Sequence, residues 1–251
     1  MEEEVGSLFS GIGGIEIGFE NQGFKTKWFC ECEPYARAVL RKRFPTAKIY
    51  EDITKIDFKT VHRVKILTGG FPCQDISIAG KGEGIKGKRS GLWKYYLKAI
   101  SEIRPRIALI ENVARLTKKG LSTVLCDLAK IGYDAEWHCV PACSVGAPHK
   151  RERIFIIAYT NEKRWNDGNN NDTKHEVYQN EEWNFPKNIK SGGEWERWII
   201  QNFKVTDWTL PESYFHRVDD GLSEELDRIK CLGNAVVPQV AEVFAKAIKE
   251  A

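Results

Sequence analysis

From residue 5 to about residue 159, short apolar runs rich in β-branched side chains alternate with stretches of helical spacing. Residues 5–9 predict a first strand, followed by a glycine turn and a short helix over 15–21 that Gly23 stops. Residues 27–30 form a second strand, and Pro34 opens a helix through Arg43, because proline suits a first helical position. The brief runs at 65–67 and 106–110 lie between breakers, as strands buried on both faces of a parallel sheet do. Helical spacing fills 92–103 and 121–131, and a late strand covers 153–158. The pattern predicts an α/β fold built on a doubly wound, mostly parallel open sheet.

The pattern breaks at Thr160. Residues 160–208 hold five of the eight tryptophans, the polar run Asn166-Asp167-Gly168-Asn169-Asn170-Asn171-Asp172 and few aliphatic residues. Such a stretch cannot extend the sheet and is expected to be an inserted lobe. The α/β pattern resumes near Gly221, and Pro238 opens a terminal amphipathic helix with Val240, Val243, Phe244 and Ile248 at helical spacing.

At 251 residues the chain suits one full domain with a smaller appendage. With 42% hydrophobic and 29% charged residues it can bury a core, which excludes a disordered or fibrous chain. No apolar run is long enough for a membrane span, and the acidic start Met1-Glu2-Glu3-Glu4 does not resemble a signal peptide. A cytoplasmic location is expected. A net charge of +3 is too mild to indicate nucleic-acid binding by itself. The seven cysteines show no paired spacing for zinc, so no metal is expected, and six of them read as reduced, mostly core-filling residues.

Four places along the chain carry possible chemistry. The turn after the first strand, Phe9-Ser10-Gly11-Ile12-Gly13-Gly14, lets a ligand approach backbone that carries no Cβ. A dinucleotide fingerprint would need a third glycine where this chain has Glu16, which disfavours a pyrophosphate and favours a non-phosphorylated nucleoside. Glu31, at the end of the second strand, can accept hydrogen bonds from both ribose hydroxyls, and Asp52-Ile53-Thr54 can face an adenine edge. The second place is Gly69-Gly70-Phe71-Pro72-Cys73-Gln74, after the strand at 65–67. Strand carboxyl ends form the ligand crevice in such sheets, so Cys73 is delivered there as a candidate nucleophile. Residues 80–91 follow with five glycines and the cations Lys81, Lys86, Lys88 and Arg89, a candidate basic lid. Glu111-Asn112-Val113 is the third place, where a carboxyl could act as general acid toward a ring nitrogen. The fourth, Pro148-His149-Lys150-Arg151-Glu152-Arg153, offers guanidinium groups for phosphate or carbonyl contacts.

In this order the motifs resemble the DNA (cytosine-5)-methyltransferase family, whose members carry a Phe-x-Gly-x-Gly-Gly loop, an acidic ribose residue, Asp-Ile-Thr, Pro-Cys-Gln, Glu-Asn-Val, an Arg-x-Arg pair and a late Gly-Asn-x-Val. This chain supplies all seven, the last at Gly233-Asn234-Ala235-Val236. The resemblance implies a methyltransferase sheet of the S-adenosylmethionine-dependent type. It divides the chain into a catalytic and cofactor domain at 1–159, a small target-recognition region at 160–212 and a returning C-terminal segment at 213–251. It implies S-adenosylmethionine as methyl donor, bound by Phe9, Gly11, Ile12, Gly13, Gly14, Glu31, Cys32, Asp52, Ile53, Pro72, Leu92, Asn234 and Val236. Cys73, Glu111, Asn112, Arg151 and Arg153 would be catalytic, and Gln74, Ser77, Lys81, Lys86, Lys88 and Arg89 would contact double-stranded DNA. The expected reaction adds the Cys73 thiolate to carbon 6 of a flipped-out cytosine and methylates carbon 5. A monomer of bacterial, phage or prophage origin is expected, and a separately acting restriction endonuclease is compatible with it.

The chain also departs from the family pattern. His149 stands where relatives often have Gln, and Glu33 where they have Asp or Asn. Ser7 stands where many have Asp, so one turn-stabilising carboxylate is expected to be missing. Residues 160–212 carry seven Lys/Arg against ten Asp/Glu, so selected residues such as Lys163, Arg164, Lys187, Lys190 and Arg197 would have to meet phosphates. Arg217, Asp219, Asp220 and Gly221, with Asp227 and Arg228, resemble the ending of compact phage and prophage members. Two other readings stay open. One is an RNA cytosine methyltransferase on the same scaffold, although the Cys-Phe-Thr signature of the tRNA-acting branch is absent. The other is a degenerate regulator that binds DNA without turnover, although both Cys73 and Glu111 are present.

Overall fold

The computed structural model describes residues 3–72, 90–147, 149–160, 231 and 234–250. In chain order the elements are β1 (Glu4–Leu8), α1 (Gly14–Asn21), β2 (Lys25–Cys30), α2 (Pro34–Arg43), β3 (Lys48–Tyr50), β4 (Ile66–Gly70), α3 (Trp93–Ile103), β5 (Ile107–Val113), α4 (Leu121–Lys130), β6 (Asp134–Pro141), β7 (Glu152–Tyr159) and α5 (Pro238–Glu250). The strands form one sheet in the order β3-β2-β1-β4-β5-β7-β6. The β3-β2, β2-β1, β1-β4 and β4-β5 pairs are parallel, whereas β7 is antiparallel to both β5 and β6. Strand order reverses direction between β1 and β4, which makes their carboxyl ends the natural ligand crevice.

The unbroken apolar runs reflect burial on both faces. Along β5, Ile107 and Leu109 enter the core beneath α1 and α5, while Ala108 and Ile110 enter the core beneath α3 and α4. In β7, Phe155 and Ile157 take the first side and Ile154, Ile156 and Ala158 the second. Period-two alternation therefore serves two hydrophobic layers instead of one layer and solvent.

α5 packs against α1 because α1 has small residues where the chains meet. A Cβ on Gly14 would lie 2.3 Å from the Val236 carbonyl oxygen, and one on Gly18 would lie 2.4 Å from that of Pro238. α5 buries Val240, Val243, Phe244 and Ile248, at about 1.5–3 kcal/mol for each fully buried side chain. Asn21 and Gln22 donate to the Glu242 carboxylate, and Lys249 donates to the Gln22 carbonyl.

Several strands differ from their predicted bounds. β4 continues through Gly69 and Gly70, and β5 continues through Glu111 to Val113, so the candidate acid belongs to the strand itself. β6 has no counterpart in the sequence reading. Its composition is mixed because it is the sheet's last strand, and Trp137 at its centre is 45% exposed. The resumption of the α/β pattern near Gly221 lies outside the described residues. Among the described residues no helix is long and apolar enough to cross a membrane.

Candidate active site

The loop from β1 to α1 contains three left-handed residues within five positions: Phe9 (φ 53°), Gly11 (φ 54°) and Gly13 (φ 83°). Phe9 pays a steric cost that glycine would avoid, and it is held with its ring 6.1 Å from that of Tyr96. Gly11 and Ile12 are half-buried, while Gly13 and Gly14 are buried. A Cβ on Gly11 would meet nothing within 4 Å, so this part of the loop borders open space.

Glu31 links this loop to the end of β2. Its Oε2 accepts from the Gly11 N–H at 2.7 Å and its Oε1 from the Glu33 N–H at 2.8 Å. Each carboxylate oxygen can accept a further bond, which suits a pair of ribose hydroxyls. Arg37, on α2, donates to the carbonyls of Glu31 and Cys32 and lies 3.5 Å from the Glu51 carboxylate. Asp52 Oδ1 accepts from the Thr54 N–H at 2.9 Å and from the Thr54 hydroxyl at 2.7 Å. Those bonds hold the Asp52 carboxyl below its usual pKa, and that oxygen is committed to its own turn. Ile53 is buried, Cys32 exposed and Leu92 half-buried. The open glycine, the anchored carboxylate and the lack of a third glycine fit an adenosine-bearing ligand without a diphosphate.

The carboxyl ends of β4 and β5 carry the second group. A Cβ on Gly70 would lie 2.5 Å from Glu111 Oε2, so the lack of a side chain at Gly70 leaves the space that the Glu111 carboxyl occupies. Arg153 Nε lies 3.0 Å from Glu111 Oε1, and the Glu111 side chain is only 12% exposed. Desolvation pushes the Glu111 carboxyl up to about 7, against the opposing pull of Arg153 and Arg151. Arg151 (φ 27°) donates from Nη2 to the Ala235 carbonyl at 2.7 Å, joining the C-terminal segment to this end of the sheet. Val236 is half-buried with its carbonyl against Gly14, and Asn234 is exposed.

Asn112, which the resemblance places among the catalytic residues, has both ends of its amide engaged by the main chain. It is 3% exposed, its Nδ2 donates to the Phe71 carbonyl at 3.1 Å and its Oδ1 accepts from the Val113 N–H at 2.8 Å. Held from both sides, it fixes the backbone that runs through the half-buried Pro72 toward Cys73. Cys73, Gln74, Ser77, Lys81, Lys86, Lys88 and Arg89 lie outside the described residues, as do Lys163, Arg164, Lys187, Lys190 and Arg197. The two described groups share the crevice end of the sheet, with Phe9, Gly11 and Glu31 at β1 and β2, and Glu111, Arg151 and Arg153 at β5 and β7.

Sequence reasoning missed Arg37 and Thr68 and treated Glu16 only as a missing glycine. The carboxylate expected to be lost with Ser7 is supplied from α1 instead, since the buried Glu16 carboxyl adjoins the Ser7 hydroxyl. The broken glycine fingerprint was the only signal of Glu16 in the sequence.

Residues 4–207 match the family model for C-5 cytosine-specific DNA methylases. The chain is 42% identical over 163 residues to the type II methyltransferase M2.BsuMI of Bacillus subtilis, covering 62% of this chain and 41% of that one. It is 32% identical over 225 residues to the type II methyltransferase M.HaeII of Haemophilus aegyptius, covering 88% and 61%. The chain thus spans about half the length of the curated relatives it matches. A solved Escherichia coli prophage protein described as a DNA modification methyltransferase superposes with a TM-score of 0.55 at 26% identity, over 65% of this chain and 48% of that one. DNMT2 of Spodoptera frugiperda shares the fold, with a TM-score of 0.54 at 18% identity over 68% and 54%.

Proposed function

Because this chain belongs to the C-5 cytosine-specific DNA methylase family, we propose that it methylates carbon 5 of cytosine in double-stranded DNA through a covalent bond to Cys73. One observation carries this reading: a carboxyl with a pKa raised to about 7 stands at the end of β5, against Gly70 of the strand that leads to Cys73. Enzymes that need an acid near neutral pH place a carboxyl in such surroundings.

Carbon 5 of cytosine is too electron-poor to attack a methyl group unaided. The Cys73 thiolate adds to carbon 6, breaking the ring's 5,6 double bond, while Glu111 gives its proton to ring N3. The resulting enamine is nucleophilic at carbon 5, and covalent catalysis divides one difficult step into easier ones. Bound S-adenosylmethionine would supply the electrophilic methyl group. Loss of the carbon-5 proton to a base, with return of the N3 proton to Glu111, then re-forms the double bond and expels the Cys73 thiolate. Arg153 holds the Glu111 carboxyl in place, and Arg151 ties the site to the C-terminal segment. Glu31 would accept the ribose hydroxyls of the methyl donor, while the loop at 9–14 faces its adenosine.

The cytosine has to leave the duplex to reach this crevice, at a cost of a few kcal/mol in lost stacking and pairing. Gln74, Ser77, Lys81, Lys86, Lys88 and Arg89 are the residues proposed to hold the DNA, and 160–212 the region proposed to choose its site. The deciding experiment incubates the chain and S-adenosylmethionine with duplex DNA carrying 5-fluorocytosine at methylated positions, identified beforehand by methylation-aware sequencing. A stable adduct at Cys73 is expected, because fluorine cannot leave as the proton does. Methyl incorporation into tRNA but not duplex DNA would favour the RNA reading, and no incorporation into either would favour the regulator.

A further inference from the structure

Beneath the glycine loop lies a polar group that has no part in the proposed chemistry. Glu16, in the first turn of α1, is 1% exposed. Its Oε1 accepts from the Thr68 hydroxyl of β4 at 2.6 Å. Thr68 is the register partner of Ser7 on β1, and the Ser7 hydroxyl lies beside the same carboxyl. Ser7 bonds the Ser10 hydroxyl at 2.7 Å, and Ser10 reaches the Cys30 carbonyl of β2 through both its N–H and its hydroxyl. Among the described residues, Glu16 Oε2 has no hydrogen-bond partner.

We infer that Glu16 is a positioning residue for the methyl donor: its side chain, joined to Thr68 and set against the Ser7–Ser10 pair, props the loop at 9–13 from below and ties it to the strand leading to Cys73. The inference rests on the methyl-donor reading above. Gly11 and Gly13 adopt the left-handed conformation freely, but Phe9 holds it only where its surroundings over-determine it. Ser10 follows Phe9 in that segment and is fixed from its inner side by this chain of groups. A buried carboxyl with no cation beside it among the described residues costs desolvation energy that an apolar residue would avoid. Burial displaces the Glu16 pKa upward, against the hydrogen bond that its carboxyl accepts from Thr68. A residue that merely filled space would need none of these bonds.

The test uses the full chain with Thr68→Val, Glu16→Gln and Glu16→Ala. Binding of S-adenosylmethionine is measured by titration calorimetry well below each variant's Tm, and turnover is measured at saturating donor. Thr68→Val and Glu16→Ala are expected to bind about tenfold more weakly, the scale of one buried hydrogen bond. Glu16→Gln, which keeps an acceptor oxygen for the Thr68 hydroxyl, should stay within about threefold of wild type. Turnover at saturating donor should change less than affinity in all three. Wild-type affinity in folded Thr68→Val overturns the inference, as does a Glu16→Gln loss equal to that of Glu16→Ala. If Glu16→Ala does not fold, Thr68→Val and Glu16→Gln decide. If the wild-type chain binds no S-adenosylmethionine, the methyl-donor reading fails and this inference fails with it.

Discussion

Glu31 and Glu111 stand at the same end of one sheet, yet their surroundings prepare them for opposite tasks. Both oxygens of Glu31 accept backbone N–H groups, from Gly11 and Glu33, so this carboxylate is fixed as an acceptor. Glu111 has Arg153 on one oxygen and the narrow space of Gly70 by the other, and desolvation leaves it poised to carry a proton near neutral pH. On the proposed reading, one half of the crevice holds the methyl donor and the other exchanges a proton. The difference comes from surroundings and not residue type: backbone N–H groups hold Glu31, whereas desolvation and the Arg153 and Arg151 side chains act on Glu111.

If the halves are separable, damage to the second should spare binding by the first. The largest effect is expected for Cys73→Ala, with methyl transfer lowered by at least about 10⁴-fold and S-adenosylmethionine affinity within about twofold of wild type. Radiolabelled methyl incorporation and calorimetry read the two quantities; loss of both together would break the comparison. Glu111→Gln should slow turnover by about 10²–10³-fold with donor affinity retained, measured in single-turnover assays. Glu31→Ala should do the reverse, weakening donor affinity by about 10–100-fold while turnover largely recovers at saturating donor. Arg153→Lys should give a smaller and more diagnostic change. Glu111 must be protonated to act, so the rate should fall as pH rises through about 7. A weaker hold from the lysine would move that falling limb to higher pH, as a pH–rate profile would show. The smallest effect should appear in folding stability. The Glu111 carboxyl is raised from 4.5 to about 7, so its contribution is fully present below the lower value and lost as pH rises through the upper. Glu111→Gln should remove that part of the Tm-against-pH slope.

The fold was legible where burial was two-sided. The runs at 106–110 and 153–158 are apolar because both faces are covered, and no other role explains them as simply. β6 was not legible, since a last strand with Trp137 exposed has polar and apolar residues in no decisive period. At the site, glycines and carboxylates were visible as residue types, but their relations were not. The proton affinity of Glu111 depends on Arg151 and Arg153, far along the chain, and on desolvation that no local pattern encodes. Asn112 entered the site through the resemblance, and no local pattern shows that its amide bonds the backbone of Phe71 and Val113. Glu16 looked like a mere interruption because its partners Ser7 and Thr68 lie on two other strands.

The reversed direction of β7 has a consequence for how such proteins can be recombined. Its ladder pairs Val113 with Arg153 and Glu111 with Phe155, so the guanidinium meets the carboxylate diagonally across hydrogen-bonded backbone. Connections grafted from a relative would leave that couple intact as long as the two strands keep their alignment. A slip of one residue would turn Arg153 to the opposite face and silence a chimera whose every sequence motif still reads correctly.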